Sequence, residues 1–376
     1  KNTGNAAFTL ERVFSGALDM PSCDYDCINL WGHWGKERTP ERVTLHHGKQ
    51  SVESTRVSSS HNHNPFMAIV SKNADEDLGE AYGFNLVYSG SFLIETEVDH
   101  LCSSRVVAGI NPIDFEWTLA PGENFTAPEL VCVYSNRGIG EMSRIFHRLY
   151  INNLCRRQWK GRKRPILVNN WEGTYFDFDD EKLLAIAKDA ADLGIEMLVL
   201  DDGWFGADRN IDIGYLGDWT VNEKKIRCGM KELVRRVHSL GLKFGLWFEP
   251  EMISPIGKLY EAHPDWCLHV DGRKLSPARN QYVLDYSRKD VRDYIVDIMS
   301  NLIADAGIEY VKWDFNRNMT ELGSALLPPE KQKELCHRYV LGLYEVMSRL
   351  LEKFPDLLIE GCSGGGGRFD AGILYY

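Results

Sequence analysis

Six short apolar runs in the second half of the sequence end in residues that carry charge, protons or a flat ring. They close with Asn169-Asn170-Trp171-Glu172, Asp201-Asp202-Gly203-Trp204, Trp247-Phe248-Glu249-Pro250-Glu251, Asp285, Lys312-Trp313-Asp314-Phe315-Asn316-Arg317, and Glu360-Gly361-Cys362-Ser363. Carboxylates accept hydrogen bonds from hydroxyls, while Lys and Arg donate them. An indole offers a flat apolar face to C–H groups. Together these groups suit a polyhydroxylated ligand. A single carboxylate at a strand end is an ordinary loop cap. Carboxylates at all six ends, four with a Trp within two residues, repel one another unless a cation, donors or a polar ligand offset them. A divalent metal is the competing account of clustered carboxylates. Lys312 argues against a metal. It stands two residues before Asp314, so both point to one side of a strand, and its ammonium takes a metal's place. The plain alternative for Lys312 is a surface lysine that snorkels.

The elements that carry these ends alternate. The runs Ile166–Trp171, Met197–Asp201, Phe244–Phe248, Tyr282–Asp285, Tyr310–Asp314 and Leu357–Glu360 read as buried strands. Helical periodicity lies between most of them. Leu183, Leu184, Ile186, Ala187, Ala190 and Ala191 form one apolar face that stops at Gly194, and Leu233, Val234, Val237 and Leu240 form another that stops at Gly241. A third begins with Ser287 three residues before Asp290, a capping-box spacing, and stops at Gly307. Glycine after the last apolar position is a helix stop. Repeated βα units with near-continuous apolar strands predict a parallel (β/α)₈ TIM barrel, whose active site lies at the C-terminal strand ends. Six strands are expected, with Ile373–Tyr376 starting the seventh and the barrel truncated before its last strand.

The first 150 residues have a different rhythm. Met67–Val70, Gly83–Tyr88, Ser91–Glu97 and Leu130–Tyr134 are short strand-like runs separated by turns such as Ser89-Gly90 and Pro121-Gly122. They predict an antiparallel β-sandwich, followed by a helix near Gly140–Tyr150. The expected organisation is a partial N-terminal sandwich over 1–150, a linker over 151–164, and a C-terminally incomplete barrel over 165–376. The basic linker (Arg156, Arg157, Lys160, Arg162, Lys163, Arg164) reads as a solvated connection rather than a nucleic-acid patch.

Composition narrows the classes. The chain has 376 residues, of which 44% are apolar and 26% charged, with a net charge of −11. These values exclude a disordered, collagenous or coiled-coil chain and disfavour a general polyanion binder. No apolar run reaches the roughly 20 residues of a membrane-spanning helix. Nine cysteines without a paired CxxC pattern predict buried thiols in a reducing cytoplasm rather than a disulfide framework or a metal site. The chain opens on Lys1 and closes on Gly372-Ile-Leu-Tyr-Tyr376, so a fragment of a longer protein is expected.

The motifs also resemble a known family. Gly194-Ile-Glu-Met-Leu-Val-Leu-Asp-Asp-Gly-Trp204 is similar to the signature shared by glycoside hydrolase families 27 and 36. Leu246-Trp-Phe-Glu-Pro-Glu-Met252, Arg279-Asn-Gln-Tyr-Val-Leu-Asp285, Lys312-Trp-Asp-Phe-Asn-Arg317 and Cys362-Ser-Gly-Gly-Gly-Gly-Arg-Phe-Asp370 resemble bacterial family 36 α-galactosidases in order. Ser59-Ser-His-Asn-His-Asn-Pro-Phe66, Tyr82-Gly-Phe-Asn-Leu-Val-Tyr-Ser-Gly90 and Gly109-Ile-Asn-Pro112 extend the resemblance to the N-terminal part.

The resemblance implies a retaining enzyme, without cofactor or metal, that hydrolyses terminal α-galactosyl residues of sugars such as melibiose and raffinose. Asp314 would be the nucleophile. Asp201 and Asp202 would bind sugar hydroxyls, Trp247 would contact the ring, and Arg279 and Lys312 would donate. Asn316, Cys362 and Gly365 would line the pocket, and Trp171 would sit on a loop that reaches a neighbouring subunit's site in tetrameric relatives. The implied protein is a cytoplasmic homo-oligomer, a tetramer in some relatives, that binds neither nucleic acid nor membrane. Lys312 and Arg317 would favour the ionised nucleophile. The family's acid/base Asp follows the Cys-Ser-Gly-rich stretch in a Trp-x-Ser-Asp segment that does not occur by Tyr376, so no residue takes that role. Asp370 lies too early. The alternatives are an inert galactoside-binding fragment, a transglycosylase and an α-N-acetylgalactosaminidase.

Overall fold

The computed structural model describes residues 1–20, 22–156 and 158–376. Arg157 of the basic segment lies outside the described residues. The chain divides into two compact units, one formed by residues 1–156, 327–340 and 365–376, the other by 157–326 and 341–364.

The first unit contains the expected antiparallel sandwich. Its five-stranded sheet runs in the order Glu129–Ser135, Ala81–Val87, His63–Ser71, Tyr25–His33 and Lys36–Thr44, and its four-stranded sheet runs Phe14–Met20, Ser104–Ile110, Phe92–Val98 and Gly48–Glu53. The alternation of side chains along His63–Ser71 shows why this chain makes two layers. Ala68 and Val70 pack with Ala81, Val133, Met142 and Phe146 under the helix Gly138–Leu149, while Met67 and Ile69 point to the opposite face and are equally buried. Gly83 lets the helix come close: a Cβ there would sit 2.5 Å from the Phe146 ring and 2.8 Å from the Met142 sulfur.

The same unit encloses a histidine. His337 is buried against Phe115, Trp117 and Phe125, and its Nδ1 lies 2.9 Å from the Tyr88 hydroxyl. Burial holds its pKa down to about 4.

The second unit is a partly curled parallel sheet of (β/α)-barrel type. Five strands follow chain order: Leu167–Asn169, Met197–Leu200, Lys243–Phe248, Tyr310–Trp313 and Leu358–Gly361. Helices Asp180–Asp192, Met230–Ser239 and Lys289–Ala306 lie between strands where the apolar periodicity predicts them. Gly194, Gly241 and Gly307 follow their ends with positive φ, the left-handed backbone that stops a helix.

Three expectations are corrected. The run Tyr282–Asp285 is not a barrel strand. Tyr282–Val283 pairs antiparallel with Met252–Ile253, and Lys243–Phe248 pairs directly with Tyr310–Trp313. Tyr310–Trp313 is therefore the fourth barrel strand and Leu358–Gly361 the fifth. Ile373–Tyr375 is a short 3₁₀ turn rather than a strand. The capping box at Ser287 is absent: the helix begins after Arg288 without a side-chain cap, because the Ser287 hydroxyl donates to Asp285 instead.

Alternation along the barrel strands selects what faces inward. Met197, Val199 and Tyr310 form one buried cluster, and the half-buried Leu358 packs against it. Two residues on, at the same side, come Asp201, Lys312 and Glu360. Gly245 makes room for this interior, since a Cβ there would lie 2.7 Å from Tyr310 Cδ1 and 3.0 Å from Val199 Cγ2.

Two outcomes follow from this packing. Gly245→Val overpacks the interior and destabilises the chain by about 1–3 kcal/mol in urea unfolding. His337 supplies an acid-labile term. Its folded pKa lies below the unfolded value of about 6.5, so the unfolded chain takes up the proton first. Stability is therefore lost as pH falls from about 6.5 to about 4, by about 3 kcal/mol. His337→Gln should flatten that slope in unfolding curves between pH 7 and 4.

Candidate active site

The ends of the second, third, fourth and fifth barrel strands bring the charged residues of the second unit together. Asp201 follows the second strand, and its backbone N–H donates to Asn170 Oδ1 at 2.8 Å. Its Oδ2 accepts from Lys312 Nζ at 2.7 Å and from Asn169 Nδ2 at 2.5 Å. Lys312 is largely buried. Burial opposes its charge, but Asp201 prevails and holds the ammonium pKa above its ordinary value. Lys312 is thus the internal cation expected from its spacing, and it does not snorkel to the surface.

Asp202 points the other way, as the next residue must. It pairs with Arg209, whose Nη2 and Nε lie 2.6 and 3.0 Å from its two oxygens. Arg209 is fully buried and also reaches Asp212 at 3.0 Å and the Gly214 carbonyl at 2.8 Å. Burial pushes the Asp202 carboxyl up, and the guanidinium opposes it. Arg279 donates to Asp212 at 3.1 Å from an exposed turn. Arg279 and Asn280 both have positive φ, a conformation that costs energy in residues other than glycine.

Asp314 follows the fourth strand. Its Oδ2 accepts from Trp247 Nε1 at 3.1 Å, and its Oδ1 accepts from the backbone N–H groups of Phe315 at 2.9 Å and Gly364 at 3.2 Å. Three donors thus fix one buried carboxyl. Trp247 is itself held: its carbonyl accepts from Trp204 Nε1 at 2.9 Å, and its ring stacks parallel to Phe205. The Cys362 N–H donates to the Trp313 carbonyl at 2.8 Å, and the Ser363 hydroxyl donates to the Phe315 carbonyl at 2.7 Å. These bonds tie the fifth strand end to the fourth. Asn316 is half-buried two residues beyond Asp314.

Other expected members fall elsewhere. Arg317 does not serve Asp314. Its guanidinium donates to the carbonyls of Gln281 at 2.7 Å and Ser276 at 3.1 Å. Asp285 is buried and accepts from Ser287 and Ser324, which makes it a structural cap. Glu172 is exposed and accepts from Tyr175 at 3.2 Å. Trp171 packs edge-on against Tyr175 and Phe176. Gly365, with φ +92°, counts with the first unit. Asp370 also belongs to the first unit, where it accepts from Ser89 at 2.6 Å and Ser59 at 3.0 Å.

Asn169 and Glu249, both among the strand-end residues, and Arg209 and Gln281 belong to this hydrogen-bonded set, though the family resemblance gives none of them a role. Arg209 and Gln281 sit in irregular loops where no periodicity marks them.

The fold defines the class: an antiparallel β domain and a parallel sheet of (β/α)-barrel type in one chain. Residues 124–376 match the family described as Melibiase, and residues 1–120 match the glycosyl hydrolase family 36 N-terminal domain. The chain belongs to glycoside hydrolase family 36. It is 56% identical over all 376 residues to α-galactosidase AgaA of Geobacillus stearothermophilus, covering 51% of that protein. It is 48% identical to α-galactosidase Mel36A of Lactobacillus acidophilus, again covering 51% of the relative. The crystal structure of AgaA superimposes with a TM-score of 0.98 over the whole chain and 52% of its own length. A variant of AgaA has been crystallised with raffinose. The chain thus spans about half the length of the curated relatives it matches.

The Lys312–Asp201 pair can be tested on this chain. Lys312→Met leaves a buried carboxylate without its cation and should cost about 3 kcal/mol in unfolding free energy. Adding Asp201→Asn should return most of that loss, as a double-mutant cycle would measure.

Proposed function

We propose that this chain carries the galactose pocket and the nucleophile of a retaining α-galactosidase acting on terminal α-galactosyl residues of oligosaccharides such as melibiose and raffinose. The observation that carries the reading is the Asp314 carboxyl, held by three N–H donors beside the Lys312–Asp201 pair. The identity to AgaA, whose variant binds raffinose, supports the substrate class.

In this reading Asp314 attacks the anomeric carbon and forms a covalent glycosyl-enzyme. A second carboxyl, about 5 to 5.5 Å away in retaining enzymes, protonates the leaving oxygen and then deprotonates water. Asp314 must attack as the carboxylate. Its fixed donors orient one oxygen lone pair toward the sugar and limit its movement during attack. Asp201 and Asp202 accept hydroxyl hydrogens, Lys312 and Arg279 donate to hydroxyl oxygens, and Trp247 covers an apolar sugar face. Asn316 and Cys362 line the pocket, and Trp171 stands at its rim.

No acid/base group is assigned among these 376 residues. For this chain alone the reading is therefore galactoside binding without turnover.

The assembly is read as a cytoplasmic homo-oligomer, with a tetramer as the form suggested by family resemblance. Nine cysteines in the free thiol form favour a reducing compartment.

In a protein that includes this chain at the relatives' full length, Asp314→Ala should lower hydrolysis of p-nitrophenyl α-galactoside by roughly 10³-fold or more. EDTA should leave the wild-type rate unchanged. An unaltered rate in Asp314→Ala, or activity lost to EDTA and restored by Ca²⁺ or Mg²⁺, would overturn the reading.

A further inference from the structure

Glu249 is a buried carboxyl for which the mechanism above has no use. It follows the third barrel strand, and its side chain is closed off from water. One oxygen, Oε1, accepts two hydrogen bonds: from the backbone N–H of Asn316 at 2.7 Å and from Gln281 Nε2 at 2.7 Å. The residue before it also holds the nucleophile's chain, since the Phe248 carbonyl accepts from the Asp314 N–H at 2.8 Å. Residues 248 and 249 therefore grip the backbone on both sides of Phe315. Gln281 is buried as well, and its carbonyl accepts from Arg317 at 2.7 Å. The grip thus runs from the third strand through the 279–281 turn to the segment after the fourth strand.

We propose, building on the α-galactosidase reading, that Glu249 is a positioning residue that acts as an un-ionised acid, clamping the 314–316 segment so that the Asp314 carboxyl stays aimed while Glu249 adds no second negative charge beside it.

The electrostatics agree with the geometry. Burial, and then the charge of Asp314, push the Glu249 carboxyl up to about 8, with the Asn316 and Gln281 donors opposing. The groups that face it are Asp314 and Asn316 from the fourth strand end, Gln281 and Arg279 from the turn, and Arg209 from the loop after the second strand. The last two also feel its charge. The Asn316 N–H and Gln281 Nε2 both sit on Oε1, which a neutral acid or an amide carbonyl can satisfy, and the Asn316 side chain also bonds the carboxyl.

The clamp makes two separable demands. Glu249→Leu keeps the bulk but removes the acceptor, so the Asn316 N–H and the Gln281 amide lose their partner. In the full-length protein this variant should lose about 10²-fold in kcat, the scale of a misplaced reacting group. Glu249→Gln restores the acceptor without a charge and should recover at least ten-fold of that loss. If the Gln variant is as impaired as the Leu variant, an ionised carboxylate is required and the proposal fails.

The second demand can be read on the 376-residue chain without turnover. The folded pKa lies above the unfolded value of about 4.5, so the folded chain keeps a proton that the unfolded chain releases. The stability associated with that proton is complete below about pH 4.5 and is lost as pH rises to about 8. Glu249→Gln has no such proton. The ratio of the unfolding constants, wild type over Glu249→Gln, should therefore rise with pH by up to about ten-fold per unit between pH 5 and 8 and then level off. A pH-independent ratio would overturn the proposal, even if Asp314→Ala had already upheld the α-galactosidase reading. A pH-dependent ratio in a protein whose Asp314→Ala variant keeps full activity would instead keep the un-ionised clamp and reject its catalytic setting.

Discussion

A buried ammonium makes the acidic strand ends compatible with a folded barrel. Lys312 Nζ sits 2.7 Å from Asp201, among side chains that would otherwise place carboxylates side by side in a poorly solvated interior. Such a charge is costly to bury and strongly destabilising to orphan. The pair is therefore retained for what it holds in place rather than for net stability. It fixes the end of the second strand to the end of the fourth, and Asn169 adds a donor from the first. Arg209 does the same for Asp202 from outside the strands. With these two cations in place, Asp314 can be held by neutral N–H donors alone, which position a carboxylate without quenching it by direct ion pairing.

The barrel interior is graded along its axis by strand periodicity. The lower layer is apolar, with Met197, Val199, Tyr310 and Leu358. One residue pair higher, the same rows carry Asp201, Lys312 and Glu360, and Tyr310 OH donates to Glu360 at the boundary between the layers. Gly245 gives up its side chain so that Tyr310 can occupy the axis. The aromatic cluster of Trp204, Phe205, Trp219, Trp247 and Phe248 then packs around the third strand end. Trp247 is thereby both a wall of the pocket and a donor to Asp314.

Much of this was legible in the sequence because it follows from period. The strand around Met67–Val70 and the helices that stop at Gly194, Gly241 and Gly307 come from spacing alone. The misreadings have a common cause. Tyr282–Asp285 is largely apolar and buried like a barrel strand, but Tyr282 and Val283 pair antiparallel with Met252–Ile253 and Leu284 bridges antiparallel to Cys267. A short apolar run reports burial, not the partner that buries it. Ser287 has cap spacing, yet a buried carboxyl two residues earlier competes for its hydroxyl and wins. Arg317 lies near Asp314 in sequence but donates to carbonyls of the 276–281 turn. For Tyr282–Val283 and Arg317 the decisive partner comes from another loop, and for Ser287 it is the adjacent buried Asp285; neither periodicity nor composition marks such partners.

The same reasoning explains why carboxylates at strand ends take unlike roles. Glu172 stays in water, and Asp285 satisfies serine hydroxyls within its own loops. Asp201 and Asp202 are neutralised by cations from two different directions. Asp314 is held instead by an indole and two backbone amides. A carboxylate that must form and break a covalent bond needs orientation more than neutralisation, because a cation bound to it would stabilise the free carboxylate over the ester it has to become. Glu249 is the counterpart of that choice. Placed behind the nucleophile's backbone and bonded to neutral N–H donors, it meets its surroundings best as a neutral acceptor. The negative charge at this strand end then stays with the carboxyl that faces the sugar.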